Sequence, residues 1–496
     1  MKKAIIIASL ALGLFMSSCE GFLDLYPHSA VAMDEAIQTE ADVEVAVNGV
    51  YSAIKSDAYY GRYFVVYGDV MTDEVASVMG FSNQLGILYR WLHTATDNDI
   101  EAMWESMYVV ISRANIVINS VGGIQGNAAN LNYYKGEALM ARALVHFDLL
   151  RMFAKAYDPA TASTDLGVPY MKAFEISEPP RATIETVYTN IIADLKEAAG
   201  LMKTSPRTGA LVDRYFSEAA ANALLARVYL YKEDWENAKK YSEMVIANSN
   251  YALENGAGFK NMWLNDVGDE VIWKVGLTVN DASNRYIGYN YYNDSQGDPN
   301  PDYMPTDNFL ALYDAVNDTR YDSYFNYVKT KTGDSLTLVY KYPTNPEFAS
   351  TTNANGVNMP KVLRLAEMYL ISAEAYAELN KTDSAWMRIQ DLRINRITAY
   401  NPAADPKPAA IKDEIFKERK RELAFEGHLF FDYKRKGLGF TRQGRTAAGN
   451  NRMANDVNDL TVSPNHVKWL YPIPQNELNA NSGMAAQSNK GQNPGY

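Results

Sequence analysis

LRLAEMYLISAEAYAEL, residues 363–379, carries Ala366, Tyr369, Ala373 and Tyr376 at alternating three- and four-residue steps, and Val362 precedes them in phase. That is one face of a 3.6-residue period, so the stretch predicts an amphipathic helix. Arg364, Glu367, Glu374 and Glu378 fall on the opposite side. After the turn at 380–382, Ala385, Ile389 and Leu392 continue the pattern on a second helix. Residues 411–427, IKDEIFKERKRELAFEG, predict a further helix that stops at a glycine, as helices commonly do.

The same spacing occurs earlier. Ala226, Tyr229, Ala238 and Val245 are separated as Ala373, Tyr376, Ala385 and Leu392 are. Small residues let two helices approach and large ones fill the space between them, which is the pattern of a tetratricopeptide helix–turn–helix unit. Such units cannot bury their apolar faces alone, so further pairs are expected.

The 496 residues are 47% hydrophobic and 21% charged, an ordinary globular composition. The net charge of -12 disfavours nucleic acid or an anionic surface as partner. With 5 His and 1 Cys, neither an intrachain disulfide nor a cysteine-based metal cluster can form. The 35 Tyr, beside 7 Trp and 17 Phe, offer rings that suit wet, amphipathic surfaces as well as cores.

The N-terminus reads as a targeting segment. Lys2 and Lys3 precede the apolar run 4–16, too short for a permanent span, and Met16-Ser17-Ser18 lead to the single Cys19. This predicts a lipoprotein signal over 1–18, with acylation of Cys19 and a tether over 19–30. Several acyl chains would hold the protein at a membrane.

The remaining chain, 31–496, is expected to form a single domain. Its helical scaffold covers about 31–57, 99–247 and 359–437. An aromatic, glycine-punctuated insertion occupies 58–98, an irregular lobe with short strands 248–358, and an irregular segment 438–496. His146 reads as a packed helix residue and Asp73-Glu74 as a cap or surface pair. Glu418, Glu422 and Glu426 share a helix with Arg419 and Arg421, which predicts ion-paired scaffold residues over the opposed carboxylates of a glycosidase. There is no HExxH, G-x-S-x-G or nucleotide-binding glycine loop. No catalytic residue, metal ligand or cofactor is assigned; Asp294, Asp298 and Asp302 lack the helix–loop–helix setting of a calcium loop.

Several stretches together resemble the SusD/RagB family of outer-membrane lipoproteins of Bacteroidota. They are Cys19-Glu20-Gly21-Phe22-Leu23-Asp24, residues 136–153 and 361–379, and 418–427 (ERKRELAFEG) with Phe430-Phe431-Asp432. Tyr471-Pro472-Ile473-Pro474 and the closing Gln492-Asn493-Pro494-Gly495-Tyr496 complete the set. The resemblance implies a mainly α, tetratricopeptide-like superhelix of about four helix pairs, near 99–153, 183–231, 234–380 and 382–427, with a loop-rich lobe bearing the ligand site. It implies a lipid-anchored protein facing the cell exterior that captures a glycan for a SusC-like TonB-dependent transporter. The alternatives are a peptide- or glycopeptide-binding lid on the same scaffold and a surface glycosidase.

A sugar presents C–H faces ringed by hydroxyls, so a site for it needs flat rings beside Asn, Asp, Gln or Arg. Tyr60, Tyr63, Asn83 and Trp91 in the insertion are candidates, as are Tyr289, Tyr291, Tyr292 and Asn293 in the lobe. Trp91 and Tyr292 are the leading choices.

Overall fold

The computed structural model describes residues 36–78, 82–209, 212–281, 287–292, 299–329, 331, 335–349, 356–442 and 460–496. The proposed signal and Cys19 lie outside them.

Helix α1 (Glu40–Ile54) opens on a capping box in which Thr39 and Asp42 bond to each other's backbone N–H. A π-helical turn, Asp57–Gly61, leads into α2 (Tyr63–Val70) and β1 (Val75–Ser77). The scaffold proceeds through α3 (Asn98–Ser120), α4 (Ala128–Phe153), α5 (Ile184–Leu201), α6 (Glu218–Tyr231) and α7 (Trp235–Ile246). Asp97, Asn127, Thr183, Ser217 and Asp234 cap these five in order, each such cap contributing about 1 kcal/mol. The lobe holds α8 (Gly256–Asn265), β2 (Val271–Lys274), β3 (Tyr303–Pro305), β4 (Phe325–Lys329), β5 (Ser335–Val339) and β6 (Lys361–Arg364). The chain then returns to the scaffold as α9 (Leu365–Glu378), α10 (Thr382–Ile394), α11 (Ile411–Glu422) and α12 (Leu429–Arg435). β7 (Phe440–Arg442) and β8 (Leu460–Val462) follow.

Each scaffold helix packs on the next: α3 on α4, α4 on α5, α5 on α6, α6 on α7, α7 on α9, and α9 on α10 and α11. The helical array is therefore continuous, and α7 pairs with both α6 and α9. The small residues of the repeat, Ala226, Ala238, Ala373 and Ala385, are all fully buried, as are Val245 and Leu392. Gly136 sets the α4–α5 distance, since a Cβ there would stand 2.6 Å from Met202 Cγ. The apolar set of α4 wraps all round the helix, because neighbours cover it on more than one side.

The described strands form four two-stranded antiparallel sheets: β1–β3, β2–β6, β4–β5 and β7–β8. The first fastens the insertion to the lobe, pairing Val75 with Pro305 and Ser77 with Tyr303.

Three expectations change. Val362 and Leu363 belong to β6, because Arg364 is extended (φ -126°) and α9 starts only at Leu365. The helix expected over 411–427 ends at Glu422, where α11 stops; residues 423–427 form a turn in which Phe425 has φ +59°. Glu74 is no surface residue but almost wholly buried.

Glu418 and Glu422 of α11, and Glu426 in the turn just beyond it, have side chains buried among basic groups. Glu418 pairs with Arg320, Arg393 and Arg421; Glu422 with Arg320, Arg364 and Arg396; Glu426 with Arg364 and Lys341. Burial alone would raise the Glu422 carboxyl, but its three arginines outweigh that and hold it at about 2. These groups tie lobe to scaffold and present no carboxylic acid to a substrate.

Candidate functional site

The insertion and the lobe meet at Arg62. The π-turn ends there, and its backbone (φ -162°, ψ -61°) begins α2. The side chain is fully buried. Asp57 takes two of its hydrogen bonds, from Nε at 3.1 Å and Nη2 at 3.0 Å, and Gln84 Oε1 accepts from Nη1 at 3.1 Å. The guanidinium carbon sits 4.3 Å from the Tyr63 ring centroid and 5.9 Å from that of Tyr289, within range of cation–π attraction. Tyr63 also stacks on Tyr67, with centroids 5.1 Å apart and planes 18° from parallel. Tyr63 and Tyr289 are both partly buried.

Polar groups surround this pair. The Asp57 side chain is 42% exposed although one face grips Arg62. Asn83 is exposed in a left-handed conformation (φ 63°) and accepts from Arg90 at 3.0 Å. Near these rings, burial, then the charge of Asp97, raises the Asp99 carboxyl above the usual range. The result is two braced tyrosines with a carboxylate and an amide alongside, and a cation beneath. That arrangement can cover the C–H face of a ring and accept or donate to its hydroxyls.

Tyr63, Tyr289 and Asn83 are thus brought to one region. Tyr60 and Trp91 are not: both are core residues, 3% and 4% exposed. Tyr60 packs on Tyr59, Phe64 and Trp273. Trp91 donates its indole N–H to Met71 O at 2.9 Å and lies against Phe430, Phe440, His466 and Trp469, leaving little ring to offer. Tyr291 is fully buried and donates to Asp69 Oδ2 at 2.8 Å. Tyr292 is half-buried, 5.4 Å from Tyr340 and packed on the β1–β3–β5 cluster. Asn293 lies outside the described residues. Sequence reading missed Arg62, Asp57 and Gln84, whose separations match no motif.

Two cavities of about 510 and 470 Å³ lie elsewhere, around Tyr133, Ser205, Ser217 and Tyr251. The cations lining the larger one are already engaged, Arg207 with Glu44 and Glu137 and Lys274 with Asp213. Size alone does not favour it over the braced tyrosines. No group of three or more metal-ligating side chains occurs among the described residues. Nor is any described helix long and apolar enough to cross a membrane.

Residues 281–496 match the model of the SusD family. Residues 21–230 match a second model, described as starch-binding associating with outer membrane. SusD-like protein P2 of Formosa agariphila is 25% identical, with 96% of each chain covered. A SusD superfamily protein of Bacteroides thetaiotaomicron has a similar crystal structure, at TM-score 0.77 and 26% identity, over 92% of this chain and 100% of that one. A putative sugar binding protein of Bacteroides vulgatus gives TM-score 0.79 at 26% identity, over 93% and 99%.

Proposed function

The chain belongs to the SusD family, and on that premise we propose that it is a non-catalytic lipoprotein that grips a neutral oligosaccharide on Tyr63 and Tyr289. The glycan passes to a SusC-like TonB-dependent transporter in the outer membrane, and acylated Cys19 holds the protein on the outer face. The observation that carries the reading is the bracing of two partly buried tyrosines by one buried guanidinium, with Asp57 and Asn83 in the same region. Arg62 is already matched by Asp57, so the surface recruits hydroxyls in preference to an anion. The outer-membrane and starch-binding description of the matching model supports the location and ligand class. So does the sugar-binding description of the Bacteroides vulgatus neighbour.

Two experiments test it. Calorimetric titration with neutral oligosaccharides gives saturable binding, whereas affinity for oligopeptides alone would replace the glycan reading with the peptide one. Affinity isolation from detergent-solubilised outer membranes recovers a TonB-dependent transporter, and recovery without any such pore removes the delivery role.

A further inference from the structure

Helix α6 opens EAAANA, so that Asn222 stands between Ala221 and Ala223 inside the helix. Asparagine is unfavourable there, because its amide competes for backbone groups. Such a residue usually points out to solvent or bonds to a carbonyl one turn back. Asn222 does neither: it is 8% exposed, and among the described residues its side-chain amide has no protein partner. An amide so buried is costly unless a partner comes from outside the chain.

Asn222 lines the 470 Å³ cavity together with Asn248, Asn250 and Tyr251. The 510 Å³ cavity shares Tyr133, Ser205, Ser217, Asn250 and Tyr251 with it, so the two form one cleft between scaffold and lobe. Its size is that of a small-ligand site. Asn248 Oδ1 accepts from the Asn250 N–H at 3.1 Å, which fixes the turn after α7. Neither Asn248 Nδ2 nor the Asn250 side chain bonds to protein among the described residues.

The charged walls offer little. Lys203 pairs with Glu218, Arg207 with Glu44 and Glu137, and Lys274 with Asp213. Asp269 is exposed to solvent. An anionic ligand therefore meets no free cation. What remains is three amides beside the partly buried Tyr251 and the 46% exposed Met244. An amide both donates and accepts, as a sugar hydroxyl does.

We propose that this cleft is a second binding site for a neutral oligosaccharide, with the amides of Asn222, Asn248 and Asn250 bonding its hydroxyls. It shares no residue with the Tyr63–Tyr289 region. Its ligand class rests on the glycan reading above, whereas its position rests on Asn222 and the cleft. Two sites on one chain strengthen the hold on a glycan long enough to span both.

The test titrates the full mature chain with maltotriose, cellotriose, xylotriose, mannotriose, laminaritriose and trialanine by calorimetry. The tightest-binding sugar is expected to saturate at two molecules per chain in wild type and one in Asn222→Leu, with trialanine inert. Asn222→Leu nearly conserves shape and removes an amide with no protein partner, so its unfolding temperature is expected to equal or exceed that of wild type. Equal stoichiometry and affinity in wild type and Asn222→Leu overturns the proposal. So does a fall of several degrees in the variant's unfolding temperature, which would give the amide a structural role, or Asn222-dependent binding of trialanine alone. Tyr63→Ala separates the two sites. Binding weakened by Tyr63→Ala and untouched by Asn222→Leu removes the cleft alone; binding that needs Asn222 and ignores Tyr63→Ala keeps the cleft and defeats the Tyr63–Tyr289 reading. Silence of all five sugars defeats both.

Discussion

Arg62 and Tyr63 are adjacent in sequence, yet the guanidinium folds back to within 4.3 Å of its neighbour's ring centroid. The π-turn before α2 makes this possible by turning Arg62 inward while Tyr63 stays at the surface. Asp57 anchors the Nε–Nη2 edge of the guanidinium. Arg62→Lys keeps the charge but loses the planar fork that bonds Asp57 and Gln84 while stacking on rings. Oligosaccharide affinity is expected to fall by roughly tenfold, since cation–π and fork contacts of this kind contribute about 1–2 kcal/mol. Isothermal calorimetry measures it.

The α11 glutamates set overall stability. Glu422→Gln leaves three buried arginines sharing less negative charge. Breaking a buried pair costs about 3–5 kcal/mol, so thermal unfolding drops by several degrees. Lys412→Ala breaks a more exposed pair with Glu378 and is expected to move the transition little.

Gly68 and Gly427 meet where α2 crosses the turn after α11. A Cβ on Gly68 would stand 2.5 Å from Gly427 O, and Gly427 itself has φ +76°. Gly68→Ala therefore destabilises by about 1–3 kcal/mol through overpacking. Gly122→Ala, where a Cβ meets nothing within 4 Å, is tolerated. Denaturant unfolding of the two variants gives the comparison.

His146 makes acid stability measurable. Its Nδ1–H donates to Arg142 O at 2.8 Å and its Nε2 accepts from the Met171 N–H at 3.1 Å, fixing the neutral form. Burial, with the Arg142 charge, lowers its pKa to about 3. The unfolded chain takes a proton that the folded one refuses, so this contribution is complete above about 6.5 and is lost as pH falls toward 3. His146→Gln is expected to flatten the stability–pH slope across that window by about one proton. An unchanged slope would mean that His146 is not the group responsible.

The scaffold was legible because its signals are local. Ala226, Tyr229, Ala238 and Val245 announce a helix pair within one short stretch, and the residues before α3 to α7 include their caps. The site was only half legible, because burial of an aromatic residue depends on partners far along the chain. Trp91 looks like a loop ring until Phe430, Phe440 and Trp469 close over it. Tyr60 likewise disappears against Trp273. Arg62 and Tyr289 meet only because β1 pairs with β3 and Asp69 bonds Tyr291, neither of which leaves a periodic mark. The strand β6 was read as helix because Val362 happens to fall in phase with α9.

Calorimetric titration of the five neutral trisaccharides into the mature chain and into Tyr63→Ala and Tyr289→Ala addresses the central claim most directly. Saturable wild-type binding by at least one sugar, weakened about tenfold or more by either substitution as expected when a stacked ring is removed, is the predicted result. Equal affinity in wild type and both variants, with the fold intact, would contradict it.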